Sequence, residues 1–396
     1  MAKIIVVGKQ MDLGGTEVAM LALLKRLVEE GHDVTLLLKD KKGPLMNRIP
    51  KEVRVTEMDA GRSKVVGMLA GKKYDHVSPV TTVMAKGTRL FLKKTPSKNT
   101  LYPFILKRMP KFPERFDVLL DFFGYATFMT AYGAEKIDAD RKATWLHIED
   151  VNMFWGTTES GRINDYLKRY QKFYCVSEAV RQAFVKNFPN FAERAEVLLN
   201  FIDTESIVRK SAEAIPENEF TGDFKILSVG RLAEQKGYDV AIQSAKILKE
   251  RGVRFQWYVI GDGQLQGKLE RLIEDLSLKD CVHLLGRKDN PFPYVRQCDL
   301  FVQSSRSEGY SVSIIEAKTL CKPIVVTDIP SNREQITDGR NGLLTSLDPK
   351  ELAEKIELLY RNPEKRAALS ERLNSEIIDF SEEYVKLARF MESANV

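Results

Sequence analysis

Short runs of β-branched apolar residues alternate along the chain with longer segments whose apolar residues recur at helical spacing. The first run is Ile4–Val7. It is followed by apolar positions at helical spacing from Val18 to Leu27, a glycine at Gly31 and a second run at Val34–Leu38. A continuous apolar run is typical of a parallel strand that is buried on both faces. This opening therefore predicts a strand–helix–strand unit with a right-handed crossover.

The alternation continues through the first half of the chain and restarts once in the second half. Further strands of the first half are predicted at Asp117–Asp121, Ala143–Ile148, Lys172–Val176 and Ala195–Leu199. In the second half, strands are predicted at Lys225–Gly230, Phe255–Ile260, Val282–Leu285, Leu300–Gln303 and Pro323–Thr327, with helices at Leu265–Leu276, Ser313–Leu320 and Glu351–Tyr360. The pattern predicts an α/β protein of two doubly wound, Rossmann-like domains that face each other across a cleft, with ligands at the carboxyl ends of the strands.

The segment between the two halves has the composition of a linker. Ser211–Asp223 contains a proline, a glycine and four acidic residues, and clusters of this kind mark loops between structured segments. With 396 residues, the chain has room for two domains of ordinary size.

Bulk composition excludes several classes of protein. An apolar content of 43% is ordinary for a globular protein with full cores, and a net charge of +6 does not by itself indicate a polyanionic partner. The four cysteines form no C-x-x-C pair, so we expect neither zinc sites nor disulfides and favour a cytoplasmic location. Apolar stretches long enough to span a membrane are missing from the sequence, so we expect any membrane association to be peripheral.

The most informative motif contains two glutamates eight residues apart, Glu308 and Glu316. The motif follows a predicted strand and opens a predicted helix, whose free N–H groups and positive dipole end favour phosphate. Carboxylates beside such a site accept hydrogen bonds from sugar or ribose hydroxyls. The alternative is that Glu308 caps the helix and Glu316 is a solvated surface residue.

A second loop, Ser228–Gly237, also leads from a strand to a helix and contains two cations, Arg231 and Lys236. Arginine suits bidentate contact with phosphate, and lysine acts as a point charge. We interpret the pair as candidates for binding a diphosphate; the alternative is a solvated basic loop.

Two features of the first half fall at predicted strand ends. Gly14 and Gly15 precede a helix, and such a turn lets the backbone approach a ligand closely. It is not a G-x-G-x-x-G fingerprint, although Asp40 beyond the second strand keeps a nicotinamide-dependent oxidoreductase as a weaker alternative. His147 follows the strand that begins at Ala143; a lone histidine is more often structural, but its strand-end position favours a role in a ligand site.

Five segments in this order resemble the family-4 retaining glycosyltransferases of GT-B fold. They are the Gly14-Gly15 loop, Asn200-Phe201-Ile202-Asp203, the Arg231–Lys236 loop, the Gly261-Asp262-Gly263 turn and the Glu308–Glu316 motif. The resemblance is dense over Phe224–Leu344 and thinner over Met1–Asp203. It implies an acceptor-binding domain at 1–205, a nucleotide-sugar-binding domain at 206–377, and a C-terminal helix at about 378–396 that packs back on the first domain.

The resemblance also implies a role for each candidate residue. Glu308 would contact the donor sugar and Glu316 the ribose, while Arg231 and Lys236 would bind the diphosphate and stabilise it as it leaves. The other implied contacts, including the backbone of the helix start and the base-lining segment, are Gly14, Gly15, Gly261, His283, Arg287, Gly309, Tyr310, Ser311 and Val312. His147 falls where the family has an active-site histidine. The family uses no metal in this fold, so we expect neither a metal nor another cofactor.

Positive charge is concentrated in residues 62–115. This segment has 13 Lys or Arg and two acids, a net charge of +11, and aromatic residues lie among the cations. The pattern favours binding to an anionic membrane surface, on the inner face of the cell membrane. The alternatives are a solvated helical face and, less well supported, nucleic acid; we expect no nucleic-acid partner because no binding module is visible.

The sequence therefore predicts a retaining glycosyltransferase of the hexosyltransferase type. Its donor is expected to be a nucleotide-diphosphate sugar, with UDP favoured, and its acceptor a glycan or a lipid-linked glycan of cell-surface polysaccharide or glycoconjugate synthesis. The alternatives left open are a nucleotide-sugar epimerase on the same fold and a catalytically silent nucleotide-sugar-binding subunit.

Overall fold

The computed structural model describes residues 1–58, 106–107, 109–124, 128–148, 160–376 and 378–392. The chain divides into two units, the first made of Met1–Val176, Val180–Phe201 and Ser381–Val396 and the second of Ser177–Ala179 and Ile202–Phe380. Each unit is built on its own parallel sheet.

The first unit has a seven-stranded sheet in the order β3-β2-β1-β4-β5-β6-β7. Its strands are β1 (Lys3–Gly8), β2 (Asp33–Leu38), β3 (Arg54–Glu57), β4 (Arg115–Asp121), β5 (Asp138–Leu146), β6 (Lys172–Cys175) and β7 (Ala195–Val197). Its helices are α1 (Gly15–Glu29), α2 (Phe128–Lys136), α3 (Ser160–Leu167) and α4 (Glu178–Asn187). The central strand β1 is buried from Ile4 to Gly8, as the apolar run predicts, and its first residue, Lys3, is half-buried.

The second unit has a six-stranded sheet in the order β10-β9-β8-β11-β12-β13. Its strands are β8 (Lys225–Val229), β9 (Gln256–Ile260), β10 (Val282–Leu284), β11 (Leu300–Gln303), β12 (Ile324–Thr327) and β13 (Leu343–Thr345). Its helices are α5 (Thr204–Lys210), α6 (Tyr238–Glu250), α7 (Gln266–Asp275), α8 (Phe292–Gln297), α9 (Val312–Thr319), α10 (Pro330–Arg333), α11 (Pro349–Arg361) and α12 (Pro363–Asn374).

Local sequence accounts for the helix starts of this unit. Asp203 caps α5 by accepting a hydrogen bond from the Ser206 N–H at 2.9 Å, and Asp348 caps α11 in the same way. A proline follows Asp348 at the first position of α11, where its missing N–H removes no helical hydrogen bond. In the core below, the Trp257 indole N–H donates to Ser228 Oγ at 3.1 Å, so this large buried ring has its polar atom satisfied.

The last helix, α13 (Ser381–Glu392), belongs to the first unit although it follows the second in sequence. The Tyr384 hydroxyl lies 3.3 Å from His32 Nε2, and Arg26 lies over the Tyr384 ring. The Glu383 carboxylate accepts a hydrogen bond from the Leu199 N–H at 2.9 Å. These contacts attach α13 to three parts of the first unit.

The prediction that Ser211–Asp223 is a linker between the two domains is wrong, because the segment lies within the second unit. Phe220 is buried in the core of the second unit, with its ring 4.5 Å from Tyr258 and 5.4 Å from Tyr294. Glu219, one of the acids that suggested a linker, accepts a hydrogen bond from the Tyr294 hydroxyl and pairs with Lys288. The segment is part of the second unit because one aromatic anchor and one ion pair attach it to the sheet.

Candidate active site

The site residues of the second unit lie where the order of the parallel sheet reverses. The chain runs outward from β8 to β9 and β10, and then returns to the other side of β8 as β11. In a doubly wound sheet, the crevice at the carboxyl ends of two such strands is the usual ligand site. The loop after β8 contains Arg231 and Lys236, and the loop after β11 contains Glu308.

Hydrogen bonds and an ion pair join these two loops. Arg306 forms a bidentate pair with Asp239, at 2.8 and 2.7 Å, and its backbone N–H donates to Gln235 O at 2.7 Å. The Gln235 amide donates in turn to Ser307 O at 2.8 Å. The loops therefore form one framework, which holds their functional side chains at fixed positions.

Two glycines allow the loop after β8 to pack this closely. Gly237 has a φ of +62°, and a Cβ at this position would lie 2.0 Å from Ser304 O in the loop after β11. Gly261 has a φ of +154°, and its Cβ would lie 1.9 Å from Gly230 O. Any other residue would force the backbones apart, so these glycines set the spacing of the loops at the sheet edge.

Lys236 and Glu308 form a direct ion pair at the centre of this framework. Lys236 Nζ lies 2.6 Å from Glu308 Oε1, and the same oxygen accepts a hydrogen bond from Ser305 Oγ at 2.6 Å. Glu308 is only 7% exposed. Its other oxygen, Oε2, accepts no hydrogen bond from the described residues, so the carboxylate keeps one oxygen available for a ligand hydroxyl.

Glu316 is a buried carboxyl group on α9, and it too is without a hydrogen-bond partner in the part of the chain that the structure describes. Burial raises its pKa to about 8, and the nearby positive charge of Lys236 opposes that increase. A buried polar group with no partner is rare in folded proteins and points to a ligand. Lys236 therefore acts electrostatically on both glutamates of the motif.

The remaining donor-site candidates of the loops surround this cluster. The Arg231 side chain is exposed and has no ion pair or hydrogen bond among the described residues. Gly309 is buried and Tyr310 half-buried, and Ser311 is the N-cap of α9, which begins at Val312. The cap has no side-chain hydrogen bond to the helix backbone, so the positive end of α9 remains open to an anion.

His283 and Arg287 lie farther along the sheet, at the edge strand β10. His283 Nε2 lies 2.5 Å from Gln256 Oε1, and its ring packs 5.0 Å from the ring of Tyr258. Gln256 is the first residue of β9, so His283 is directed away from the carboxyl edge that holds Lys236. Arg287 follows β10 at that edge, is exposed, and approaches Asp289 at 3.5 Å.

In the first unit, the sheet reverses between β1 and β4. Gly14 is the N-cap of α1 and Gly15 its first residue, so the glycine pair lies at a helix start beyond β1. His147 directly follows β5, and its Nε2 lies 2.9 Å from Phe122 O. Burial lowers the pKa of His147 to about 4, so the ring is neutral at pH 7 and donates from Nε2 to that carbonyl.

Sequence reasoning missed a buried acid at the end of β4, which pairs with the strand that His147 follows. Asp121 ends β4 and is fully buried; it accepts hydrogen bonds from Thr144 Oγ1 at 2.9 Å and from the Phe123 N–H at 3.3 Å. Burial raises its pKa to about 6. The signal in the sequence was an acid closing an apolar strand, which spacing alone does not distinguish from a surface aspartate. Glu149 and Asp150, which follow His147, lie outside the described residues.

Each of the two units matches the model of a known protein family. Residues 13–206 match the model for Glycosyltransferase Family 4, and residues 210–375 match the model for Glycosyl transferases group 1. The chain belongs to the family-4 glycosyltransferases of GT-B fold. This assignment displaces the oxidoreductase alternative that rested on Asp40.

Several curated relatives share about a third of their aligned residues with the chain. An uncharacterised glycosyltransferase of Methanocaldococcus jannaschii is 33% identical over 50% of this chain and 52% of its own length. The N-acetylgalactosamine-N,N'-diacetylbacillosaminyl-diphospho-undecaprenol 4-alpha-N-acetylgalactosaminyltransferase of Campylobacter jejuni is 36% identical over 41% of this chain and 43% of its own length. The chain thus matches about half the length of these relatives or less.

Solved structures agree in fold over the whole chain. HepE of Anabaena in complex with UDP-glucose has a TM-score of 0.73 at 18% identity, and the match covers 99% of this chain and 100% of HepE. A mutant of S. aureus TarM in complex with fondaparinux, alpha-GlcNAc-glycerol and UDP has a TM-score of 0.72 at 16% identity, with 99% and 100% coverage. At these identities the likeness supports the α/β GT-B fold alone.

Proposed function

We propose that the protein transfers a hexose or N-acetylhexosamine from a nucleotide-diphosphate sugar to a glycan or lipid-linked acceptor. The nucleotide of the donor is UDP, and the transferred sugar retains its anomeric configuration. The observation that carries the proposal is the Lys236–Glu308 ion pair together with the buried Glu316, whose carboxyl group has no hydrogen-bond partner among the described residues. A cation, two carboxyl groups and an open helix start are what a sugar nucleotide requires, since it offers hydroxyls and a diphosphate together.

Each group has a role in this proposal. Lys236 and Arg231 bind the diphosphate together with the first N–H groups of α9. Glu308 Oε2 accepts a hydrogen bond from a hydroxyl of the donor sugar, and Glu316 accepts one from the ribose. Gly14, Gly15 and His147 of the first unit keep the roles that the family resemblance implies: donor binding for the two glycines and an active-site role for the histidine.

The reaction breaks the bond between the anomeric carbon and the terminal phosphate oxygen. The acceptor oxygen bonds to the same carbon on the same face, and its proton passes to the departing phosphate. Negative charge therefore develops on the diphosphate, where Lys236 and Arg231 stabilise it more strongly in the transition state than in the ground state. The two cations supply the stabilisation that a metal ion would otherwise give, so we propose that the reaction requires no metal.

The relatives and the solved structures are named for ligands and pathways of the same kind as those proposed here. HepE, which shares the fold, is bound to UDP-glucose in its crystal structure. The C. jejuni relative is named for transfer to a diphospho-undecaprenol-linked sugar, and another relative, AmsK of Erwinia amylovora, for amylovoran biosynthesis. These names favour a lipid-linked acceptor and a role in polysaccharide biosynthesis.

Retention is tested in a reaction of the purified protein with UDP-sugars and an undecaprenyl-diphosphate-linked glycan, in excess EDTA. NMR of the anomeric proton of the product gives the configuration of the new linkage. We expect an α-linked product from an α-linked donor. A β-linked product would contradict retention, and a requirement for added metal would contradict metal independence. Hydrolysis or epimerisation of the donor with no transfer to any acceptor would favour the epimerase alternative.

The basic segment 62–115 is proposed to bind an anionic membrane surface, which would bring the enzyme to a lipid-linked acceptor. Residues 62–105 and 108 lie outside the described residues. At the described end of the segment, Arg115 forms an ion pair with Asp140, and Glu114 pairs with Lys3 and Arg54, so its net positive charge comes from the earlier residues. In the described residues, no helix is long and apolar enough to cross a bilayer.

Vesicle co-sedimentation tests this part of the proposal. Each cation near an anionic bilayer contributes about 1 kcal/mol at low ionic strength, and salt screens the attraction. We expect the protein to sediment with vesicles that contain phosphatidylglycerol at low salt and to be released at 0.5 M salt. Neutral phosphatidylcholine vesicles are the matched control. Protein that stays in the supernatant with anionic vesicles at low salt would refute the membrane role.

A further inference from the structure

The start of α9 is held through its backbone by a side chain from a different part of the second unit. Gln335 follows α10 and is 4% exposed. In the amide orientation that satisfies both groups, its nitrogen donates to Ser311 O at 3.1 Å and its oxygen accepts from the Ser311 N–H at 2.9 Å. Ser311 is the N-cap of α9, so this two-point contact fixes the residue from which the helix starts.

The side chain of the same cap residue is held by Gln303, the last residue of β11. The Gln303 amide donates to Ser311 Oγ at 2.6 Å and to Ser313 Oγ at 3.2 Å. The two seryl oxygens are 3.1 Å apart, so one hydroxyl donates to the other. An amide nitrogen has two protons and each hydroxyl has one. Within the described residues, one seryl proton therefore remains available for an acceptor outside the cluster.

We propose that Gln335 and Gln303 are positioning residues for the diphosphate of the donor. They hold Ser311 from both sides, so that the first N–H groups of α9 and the remaining seryl proton are set in place before a phosphate arrives. Preorganised donors lose less conformational freedom on binding than groups that must first be ordered. The inference rests on the proposed function, since it assigns the means by which that site recognises phosphate.

The test compares the binding of UDP and uridine by isothermal titration, with GDP and guanosine as a second pair. Wild-type protein is expected to prefer the diphosphate. The Gln335→Met variant keeps the volume and loses both hydrogen bonds to Ser311, so we expect it to bind UDP about tenfold more weakly, with uridine affected less than about twofold. Gln303→Glu presents only acceptors to the two serines, takes up both hydroxyl protons, and is expected to weaken UDP binding at least as much.

Asn332→Ala is the matched control, because Asn332 is a fully buried amide of α10 that donates to Thr327 O at 2.9 Å and, within the described residues, forms no hydrogen bond with Ser311. It is expected to lower the unfolding temperature while keeping the preference for UDP over uridine. If the Gln335→Met protein keeps the wild-type preference for UDP, or if its affinities for UDP and uridine fall equally, the role of Gln335 is overturned and the proposed function stands. Wild-type protein that binds neither UDP nor GDP better than its nucleoside would overturn the proposed function and the inference with it.

Discussion

The Lys236→Ala variant is expected to lower kcat by about 10²–10³-fold, since removal of one preorganised charge from a developing anion has this magnitude in other enzymes. Lys236 is only 19% exposed in its side chain and lies 2.6 Å from Glu308, so it acts from a site where water screens the charge little. Donor binding should weaken as well, because Lys236 also faces the diphosphate in the ground state. The loss in kcat comes on top of this, because the charge on the diphosphate grows as the bond to the sugar breaks. Initial rates at saturating UDP-sugar measure it.

Lys268→Ala serves as the matched control, because this lysine of α7 is exposed and lies outside the two site loops. It should turn over at the wild-type rate. The Glu308→Gln variant tests the other half of the pair. If each single variant loses much of its kcat and the Lys236→Ala/Glu308→Gln double variant loses little more, the two residues act as one unit. A Lys236→Ala enzyme within about threefold of wild type would contradict the assignment, whatever its stability.

The Glu316→Gln variant is expected to be more stable than the wild-type protein and to bind the donor more weakly. Burial raises the pKa of Glu316 from its ordinary value of 4.5 to about 8. The folded state therefore keeps this proton between pH 4.5 and 8 while the unfolded state loses it, so stability falls as the pH rises through that window. One pKa unit corresponds to about 1.4 kcal/mol, and we expect the free energy of unfolding at pH 8 to rise by on the order of 1–3 kcal/mol in the variant.

Denaturant unfolding at pH 4.5 and pH 8 measures this difference, which should nearly vanish at the lower pH. Glu383→Gln is the control, since Glu383 is equally buried but pairs with Lys386 at 2.9 Å and accepts from the Leu199 N–H. Loss of that paired carboxylate should destabilise the protein. If Glu316→Gln were destabilising at pH 8, the carboxyl group would have a structural partner, and its assignment as an open ligand contact would fall.

The central strands were predictable, and so were the edge strands β7 and β10, but the edge strands β3 and β13 were not. β1, β8 and β11 lie in the middle of their sheets, where burial on both faces requires the continuous apolar runs that the sequence shows. β3, by contrast, has no buried residue and shows no apolar run. β13 contributes only two apolar residues, Leu343 and Leu344, which is too short a run to indicate a strand. The linker was misjudged for a related reason: composition does not register a single buried side chain such as Phe220.

The sequence indicated which residues belong to the candidate site, but not which of them contact one another. Spacing alone left Glu308 and Glu316 as ordinary surface residues, and the family resemblance supplied their roles. Lys236 and Glu308 are 72 residues apart, so only the order of the strands brings them into one ion pair. Gln335 gave no signal at all, because a buried amide that binds a backbone carries no pattern in the chain. His283, for which the resemblance implies a place near the base, lies against Gln256 and Tyr258.

Thermal unfolding of the wild-type and Lys236→Ala proteins with a panel of UDP- and GDP-sugars tests most directly whether this site binds a sugar nucleotide. A ligand at 100 times its dissociation constant stabilises the folded state by about 2.7 kcal/mol. We predict that at least one UDP-sugar raises the unfolding temperature of the wild-type protein by several degrees and leaves that of the variant nearly unchanged. Equal shifts in both proteins, or no shift of the wild-type protein with any member of the panel, would contradict the account.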